Sequence, residues 1–265
     1  VRFVPLDNDG RVTPEALSSV MDENTGLVSI MHVSNETGAI NDLPALTATA
    51  KSISPRCVFH SDGVQAYLKT NNDMLVNGVD MYSLSGHKVG APKGVGALFI
   101  SPKLNIRPFI YGGGQEGGLR SGTENVAGIA ALGVATKIYR EHHDDERAAT
   151  NRALLIDGLK SIPNVKIIAE NTPNTGMITA FAALGTKAEI VQTLCAADGL
   201  IIGRGSACSS KHSGNRVLFA MGMSQKEIDG ALRIGLAPET TTQEITRSIE
   251  IIRNNVEKLR GGRIG

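Results

Sequence analysis

The feature that most constrains the fold is a repeated alternation of short apolar segments and helical patterns in the N-terminal part of the chain. Residues 27–33, 57–61 and 79–84 are apolar segments of strand length, and a polar loop follows each of them. A helical pattern over residues 44–53 separates the first two segments. Strands and helices that alternate in this way favour parallel pairing through right-handed crossovers. The sequence therefore predicts an α/β fold whose sheet is mainly parallel.

Side chains that could bind a ligand or take part in catalysis follow these segments. Asn35, Asp62 and Lys88 each come shortly after one of the three, so we expect them at one edge of one sheet, where open α/β sheets bind ligands. Asp62 and Gln65 are three residues apart and share a face if a helical turn starts there. A lysine that forms a Schiff base, together with a carboxylate that pairs with a pyridinium nitrogen, is typical of pyridoxal enzymes. Taken alone, Asp62 is better explained as a helix cap, and Lys88 as a solvated surface lysine.

The second half of the chain predicts a further α/β unit. Apolar segments at 163–169, 177–183, 200–203 and 231–236 have strand length, and a helical pattern spans 187–198. A long helical pattern that starts at Glu124 and extends toward Leu159 could link two lobes. We therefore predict two domains, a large one over residues 1–135 and a smaller one over 136–265. Arg233 lies in an otherwise apolar segment, where it needs an anion, either a substrate carboxylate or an internal salt-bridge partner.

The three cysteines differ in their surroundings. Cys57 and Cys195 lie in a predicted strand and a predicted helix, which suits small buried side chains. Cys208 instead lies among glycines and serines, close to Arg204 and His212, which favours an accessible thiolate. An odd number of cysteines at unrelated spacings indicates free thiols and a reducing compartment, so a cytoplasmic location is expected.

Composition and motifs argue against several other classes of protein. The formal net charge is +1, and no basic run with interleaved aromatic residues supports nucleic-acid binding. No apolar stretch approaches the roughly 20 residues that cross a bilayer, and no metal-binding signature occurs. Gly112, Gly114 and Gly117 match a dinucleotide-binding pattern, but more glycine follows instead of a helix, and this argues against a Rossmann site. The chain opens with Val1 inside a strand-like segment, so further sequence is expected upstream.

Six motifs in order resemble those of the cysteine desulfurases, which are pyridoxal-phosphate enzymes of the fold-type I aminotransferase superfamily. The motifs are VSIMHVSNETGAI, HSDGVQ, SLSGHKVGAPKGVGALFI, GGGQEGGLRSGTEN, GRGSACSS and LRIGLAPETT. The resemblance spans nearly the whole chain. It implies a fold-type I architecture with a large, mainly parallel domain and a smaller C-terminal α/β domain that carries a mobile cysteine loop.

The resemblance also implies how pyridoxal 5'-phosphate is bound. Lys88 would hold the cofactor covalently, and Asp62 would pair with its pyridine nitrogen. Gln65 would donate a hydrogen bond to the ring oxygen, while Ser85 and His87 would hold the phosphate.

Four more residues take roles from the same resemblance. Thr123 would reach the phosphate bound by the partner subunit of a homodimer. Asn35 and Arg233 would bind the carboxylate of L-cysteine, and Cys208 would accept its sulfur. A phosphate-binding loop and a histidine that stacks on the ring belong to a family segment upstream of Val1, so we expect part of the pocket to come from outside this chain.

The implied activity is removal of sulfur from L-cysteine to give L-alanine and a persulfide on Cys208. A sulfur-acceptor protein or an iron–sulfur scaffold would receive the sulfur, and no role for nucleic acid, membrane or metal is expected. Two alternatives remain at this point: a selenocysteine lyase, or a catalytically incomplete chain that only dimerises or docks an acceptor.

Overall fold

The structure, a computed structural model, describes residues 1–70, 78–205 and 216–261. The chain divides into two compact units. Unit 1 comprises Val1–Val20, Val33–Asp42 and His143–Gly265, and unit 2 comprises Met21–His32 and Leu43–His142. The domain division proposed from the sequence, at residues 135 and 136, stays a prediction for the protein.

Unit 2 contains a four-stranded sheet in the order β1-β2-β3-β4. The strands are β1 (Leu27–Met31), β2 (Val58–Asp62), β3 (Met81–Ser85) and β4 (Gly96–Ile100). The first three pair in parallel, as predicted from the alternation of strand and helix. β4 pairs with β3 in the antiparallel sense, because the loop over residues 86–95 is too short for the crossover that parallel strands need. The sheet is therefore mixed, with a parallel part that ends at the predicted site.

Helices complete unit 2. Helix α2 (Leu43–Ile53) connects β1 to β2, and α3 (Val126–His142) ends the unit. Burial alternates along the first two strands, where Val28, Ile30 and Phe59 are buried. Such alternation means that, within unit 2, one face of these strands lies in the core and the other carries the more exposed side chains.

Unit 1 contains a three-stranded antiparallel sheet in the order β5-β6-β7. Its strands are β5 (Val165–Ile168), β6 (Ile178–Ala183) and β7 (Ala231–Gly235), and its helices are α1 (Pro14–Val20), α4 (Asp145–Lys160), α5 (Ala188–Ala197), α6 (Arg216–Ala220), α7 (Gln225–Asp229) and α8 (Thr242–Gly261). The core joins apolar residues of α4, α5, α8 and the sheet, including Leu159, Phe181, Val191 and Ile252. The predicted second α/β unit is thus present.

Two predicted elements in this half of the chain are wrong. Residues 200–203 do not form a strand; only an isolated bridge joins Gly203 to Arg233. Gly199 and Gly205 have φ values of +85° and +61°, so the chain turns on both sides of this segment and leaves room for one bridge only.

The single long helix expected from Glu124 toward Leu159 is also wrong, since α3 and α4 are separate helices. Asp144 has an extended backbone, with φ −138° and ψ 112°, and its side chain accepts a hydrogen bond from the amide of Arg147. This is the geometry of an N-cap, which starts a new helix.

Within the described part of the chain, no helix combines the length and the apolar character needed to cross a membrane.

Candidate functional site

In unit 2, Asp62 is placed by the end of β2. Its main-chain carbonyl accepts a hydrogen bond from the amide of His32 at 2.8 Å, and the next residue, Gly63, donates its amide to the carbonyl of Ser83 at 2.8 Å. The Oδ1 atom of Asp62 accepts from the amide of Val64 at 2.9 Å. The carboxylate is therefore fixed where two parallel strands, β2 and β3, reach their carboxyl ends.

The buried ring of Tyr82 packs against the turn at Gly63. A Cβ atom at Gly63 would lie 1.8 Å from Cε1 of Tyr82, so only glycine fits here. The Tyr82 hydroxyl lies 2.9 Å from Nδ1 of His32, and both side chains are buried. Burial lowers the pKa of His32 to about 4 and raises the pKa of Tyr82, which the charge of Asp62 raises further. The pair is accordingly neutral, and it braces the turn that carries Asp62.

Gln65 follows within the same turn. Its side chain is buried, and Nζ of Lys69 lies 3.4 Å from its Oε1 atom. Lys69 is itself only 8% exposed. Burial, and then the charge of Lys88, lower the pKa of Lys69 to about 8. Lys69 is therefore a buried cation that is repelled by the charge of Lys88.

Lys88 lies on a short 3₁₀ turn, Gly86–Val89, directly after β3. The turn ends at Gly90, whose φ of +88° requires glycine. Ser85 Oγ lies 2.7 Å from Nδ1 of His87, so these two side chains form a polar pair beside the lysine. Lys88 is exposed in this structure.

Thr123 lies in the glycine-rich segment between β4 and α3, and its side chain is exposed. Around it, Ser121 is buried, and the Arg120 guanidinium donates to the carbonyl of Ser121 at 3.1 Å. Gly114 donates its amide to Oγ of Ser121 at 3.3 Å. The segment is therefore held by its own hydrogen bonds and leaves Thr123 accessible.

In unit 1, the structure brings Asn35 and Arg233 together. Nη1 of Arg233 donates to the main-chain carbonyl of Asn35 at 2.6 Å, and the amides of Arg233 and Gly203 each donate to the other's carbonyl. A Cβ atom at Gly203 would lie 3.4 Å from Nη2 of Arg233, so the guanidinium passes close to this glycine. The contact uses the main-chain carbonyl of Asn35 and not its side-chain amide.

The cysteines divide as the sequence predicts, as far as they are described. Cys57 and Cys195 are buried free thiols, and burial raises the pKa of Cys195 to about 11 and that of Cys57 as well. Neither can supply a thiolate near neutral pH. Cys208, the predicted nucleophile, lies outside the described residues.

Sequence reasoning missed Lys69 and the His32–Tyr82 pair. Lys69 stands four residues after Gln65, a spacing that places two side chains on one helical face. His32 ends an apolar strand, where a histidine side chain is easily buried. Both signals were present in the sequence, but only the fold shows that these polar groups lie in the interior beside the predicted site.

The comparison with known families identifies the class of protein to which this sheet and its polar strand ends belong. The family model for aminotransferase class-V matches residues 1–247, and the chain belongs to this family. A solved structure of a NifS-like protein is similar, with a TM-score of 0.89 and 32% identity, over 97% of this chain and 68% of that one. This likeness confirms the predicted α/β fold of the fold-type I enzymes.

The curated relatives are more specific. Cysteine desulfurase 2 of Trichormus variabilis is 35% identical over 263 residues, which cover 98% of this chain and 66% of the relative. A cysteine desulfurase of Sinorhizobium fredii is 36% identical over 267 residues, covering 99% of this chain and 68% of the relative. A structure of SspA in complex with cysteine has a TM-score of 0.75 and 28% identity, over 91% of this chain and 67% of that one. The chain thus spans about two thirds of the length of these relatives.

Proposed function

We propose that this chain forms the greater part of a pyridoxal-phosphate-dependent cysteine desulfurase. The observation that carries the proposal is the edge of the unit 2 sheet, where β2 delivers Asp62 and Gln65 and β3 delivers Ser85, His87 and Lys88. Relatives named cysteine desulfurase support this function. The predicted alternatives, a selenocysteine lyase and a docking-only chain, receive no comparable support.

The groups at this edge fit pyridoxal 5'-phosphate. A carboxylate suits the pyridinium N–H, an amide suits the ring oxygen, and a hydroxyl and an imidazole suit the phosphate. Two cations, Lys69 and Lys88, interact here, and no carboxylate in the described ranges lies within salt-bridge distance of Lys69. An anionic ligand would balance this charge. Lys88, exposed at the end of the strand, would bind the cofactor covalently.

The bound cofactor would supply an electron sink for the pair of electrons left when the substrate Cα loses its proton. Once the substrate amine has replaced it on the cofactor, the free Nζ of Lys88 would take that proton and later return one. Asp62 would keep the ring nitrogen protonated. Arg233, with the side chain of Asn35, would hold the substrate carboxylate.

Sulfur transfer then needs no outside oxidant. The Cys208 thiolate would attack the sulfur of L-cysteine and form an S–S bond, while the Cβ–S bond breaks and leaves its electrons on the carbon side. Cβ gains a proton, so the products are L-alanine and a persulfide on Cys208. A sulfur-acceptor protein or an iron–sulfur scaffold would take the outer sulfur atom.

The first test maps the cofactor. The intact protein, with any segment that precedes Val1, is incubated with pyridoxal 5'-phosphate and reduced with borohydride. It should then carry the modification on Lys88, located by mass spectrometry of peptides. Lys93→Ala, a change at a neighbouring exposed lysine, should leave the labelling intact, whereas Lys88→Ala should abolish it. Label on other lysines only, or no bound cofactor, would reject the proposal and favour the docking-only alternative.

The second test concerns the thiol. Cys208→Ala should lower alanine formation from L-cysteine by at least about 100-fold, since it removes the nucleophile, while the spectral change on adding L-cysteine persists. Cys195→Ala, at a buried thiol, serves as the matched control and should retain turnover. If Cys208→Ala still converts L-cysteine, its assigned role is wrong, and turnover of selenocysteine becomes the reaction to measure.

The proposed enzyme acts as a homodimer in the cytoplasm. Large apolar side chains of α3 are exposed, among them Val126, Val134 and Ile138, and a second copy of the chain would cover them. The exposed Thr123 could then contact a phosphate bound by the partner. The free thiols of Cys57 and Cys195 suit a reducing compartment.

A further inference from the structure

Lys69 occupies an unusual place for a lysine. It is 8% exposed, whereas lysines are almost never buried without a partner. Its amide donates to the carbonyl of Ala66, and the preceding residue, Leu68, has a φ of +62°. A branched side chain in this conformation is strained, and such strain persists only where the surroundings enforce it. Lys69 therefore follows directly after a strained residue in this turn.

The contact that the ammonium group makes is directional. Nζ of Lys69 lies 3.4 Å from Oε1 of Gln65. An ammonium group has three donors and no acceptor, so the atom of the Gln65 amide that faces it must be the oxygen. The NH₂ group of Gln65 then points away from Lys69 and acts only as a donor.

Electrostatics supports the same arrangement. Burial and the charge of Lys88 lower the pKa of Lys69 to about 8, which leaves the ammonium form predominant at neutral pH. Within residues 1–70, 78–205 and 216–261, no carboxylate forms an ion pair with Lys69. Gln65 Oε1 is accordingly the acceptor that the described structure offers to this charge.

We propose that Lys69 is a positioning residue that orients the Gln65 amide, so that its NH₂ group selects a ligand with a hydrogen-bond acceptor at that point. This inference rests on the proposed function, in which the acceptor is the ring oxygen of pyridoxal phosphate. Lys69 itself touches no reacting atom. Its contribution is selectivity for that oxygen.

The experiment compares two ligands that bind without the covalent link to Lys88. One is pyridoxamine 5'-phosphate, and the other is its 3-deoxy analogue, which lacks the ring oxygen. Equilibrium dialysis with the purified intact protein, including any segment that precedes Val1, gives both affinities for the parent and for each variant. We expect the parent protein to prefer the oxygen-bearing ligand about tenfold, the size expected for one well-made hydrogen bond.

Three variants decide the matter. Lys69→Met should remove the preference by freeing the amide to flip, Lys69→Arg should retain it, and Lys258→Met, at an exposed lysine of α8, should match the parent. If Lys69→Met prefers the oxygen-bearing ligand as strongly as the parent protein does, the inference is overturned, but the proposed function is not affected. Failure of the parent to bind either ligand would instead reject the proposed function itself. If Lys69→Met does not fold, loss of the preference in Lys69→Arg would overturn the inference.

Discussion

Individual residues of the proposed site are held by main-chain contacts and by neutral interior side chains. The carbonyl of Asp62 accepts from His32, the amide of Gly63 donates to Ser83, and the ring of Tyr82 fills the space below the glycine. Such contacts keep a carboxylate in place without neutralising it. The cofactor-binding role proposed for Asp62 requires that combination, because its charge must remain available to the ring nitrogen.

The buried His32 predicts a pH dependence of stability. Its pKa is about 4 in the fold and about 6.5 in an unfolded chain. Between these values the unfolded state binds more protons, so the free energy of unfolding falls as the pH falls from about 6.5 to about 4. The loss from this residue alone should reach about 3 kcal/mol. Urea denaturation across this pH range measures it.

The controls for this effect are two histidine variants. His32→Gln should lower the dependence on pH, whereas His142→Gln, at an exposed helix end, should leave it as in the parent. An equal loss of stability on acidification in the parent and in His32→Gln would contradict the role given to burial.

Single elements show where sequence reasoning succeeds. The helical pattern at 44–53 predicts α2 (Leu43–Ile53), and the short apolar run at 177–183 predicts β6 (Ile178–Ala183), because both signals are local in the sequence. The antiparallel sense of β4 was missed, since it follows from a loop whose short length is known only once the ends of β3 and β4 are known. The break at Asp144 was missed because one N-cap within a polar run starts the new helix. Likewise, strand ends located Asp62 and Lys88, but the interior position of Lys69 follows only from three-dimensional burial.

Helix packing in unit 1 gives a second prediction. Helices α4 and α8 contact each other, and a Cβ atom at Gly158 would lie 2.2 Å from Cδ1 of Ile249. Gly158→Ala should therefore lower the free energy of unfolding by about 1–3 kcal/mol through overpacking, despite a gain of roughly 1 kcal/mol in helix propensity. Denaturation with urea provides the measurement.

A double-mutant cycle separates the clash from the propensity. Ile249→Ala alone should cost about 2–5 kcal/mol as a cavity in the core. In that background Gly158→Ala should be neutral or stabilising, because the clashing atoms are gone. If the two changes are additive, the close approach of α4 and α8 at Gly158 is not what limits this position.

On the scale of the whole molecule, the exposed apolar residues of α3 predict self-association. Val126, Ile129, Val134 and Ile138 are 71%, 48%, 59% and 47% exposed. Large exposed apolar patches commonly mark interaction sites. A chain that buried them against a second copy would also bring Thr123, exposed in the segment before α3, toward its partner.

The corresponding experiment places charges on that helix. The double variant Val134→Glu with Ile138→Glu should shift the protein from dimer to monomer in sedimentation velocity, because two unpaired carboxylates would be buried at the interface. Gln243→Glu with Thr246→Glu, an equal change in charge at exposed positions of α8, should sediment like the parent. The monomeric variant should also retain pyridoxal phosphate less well, since Thr123 of one copy would no longer reach the phosphate held by the other. A double variant of α3 that remains dimeric would place the interface elsewhere and leave this surface for a different partner.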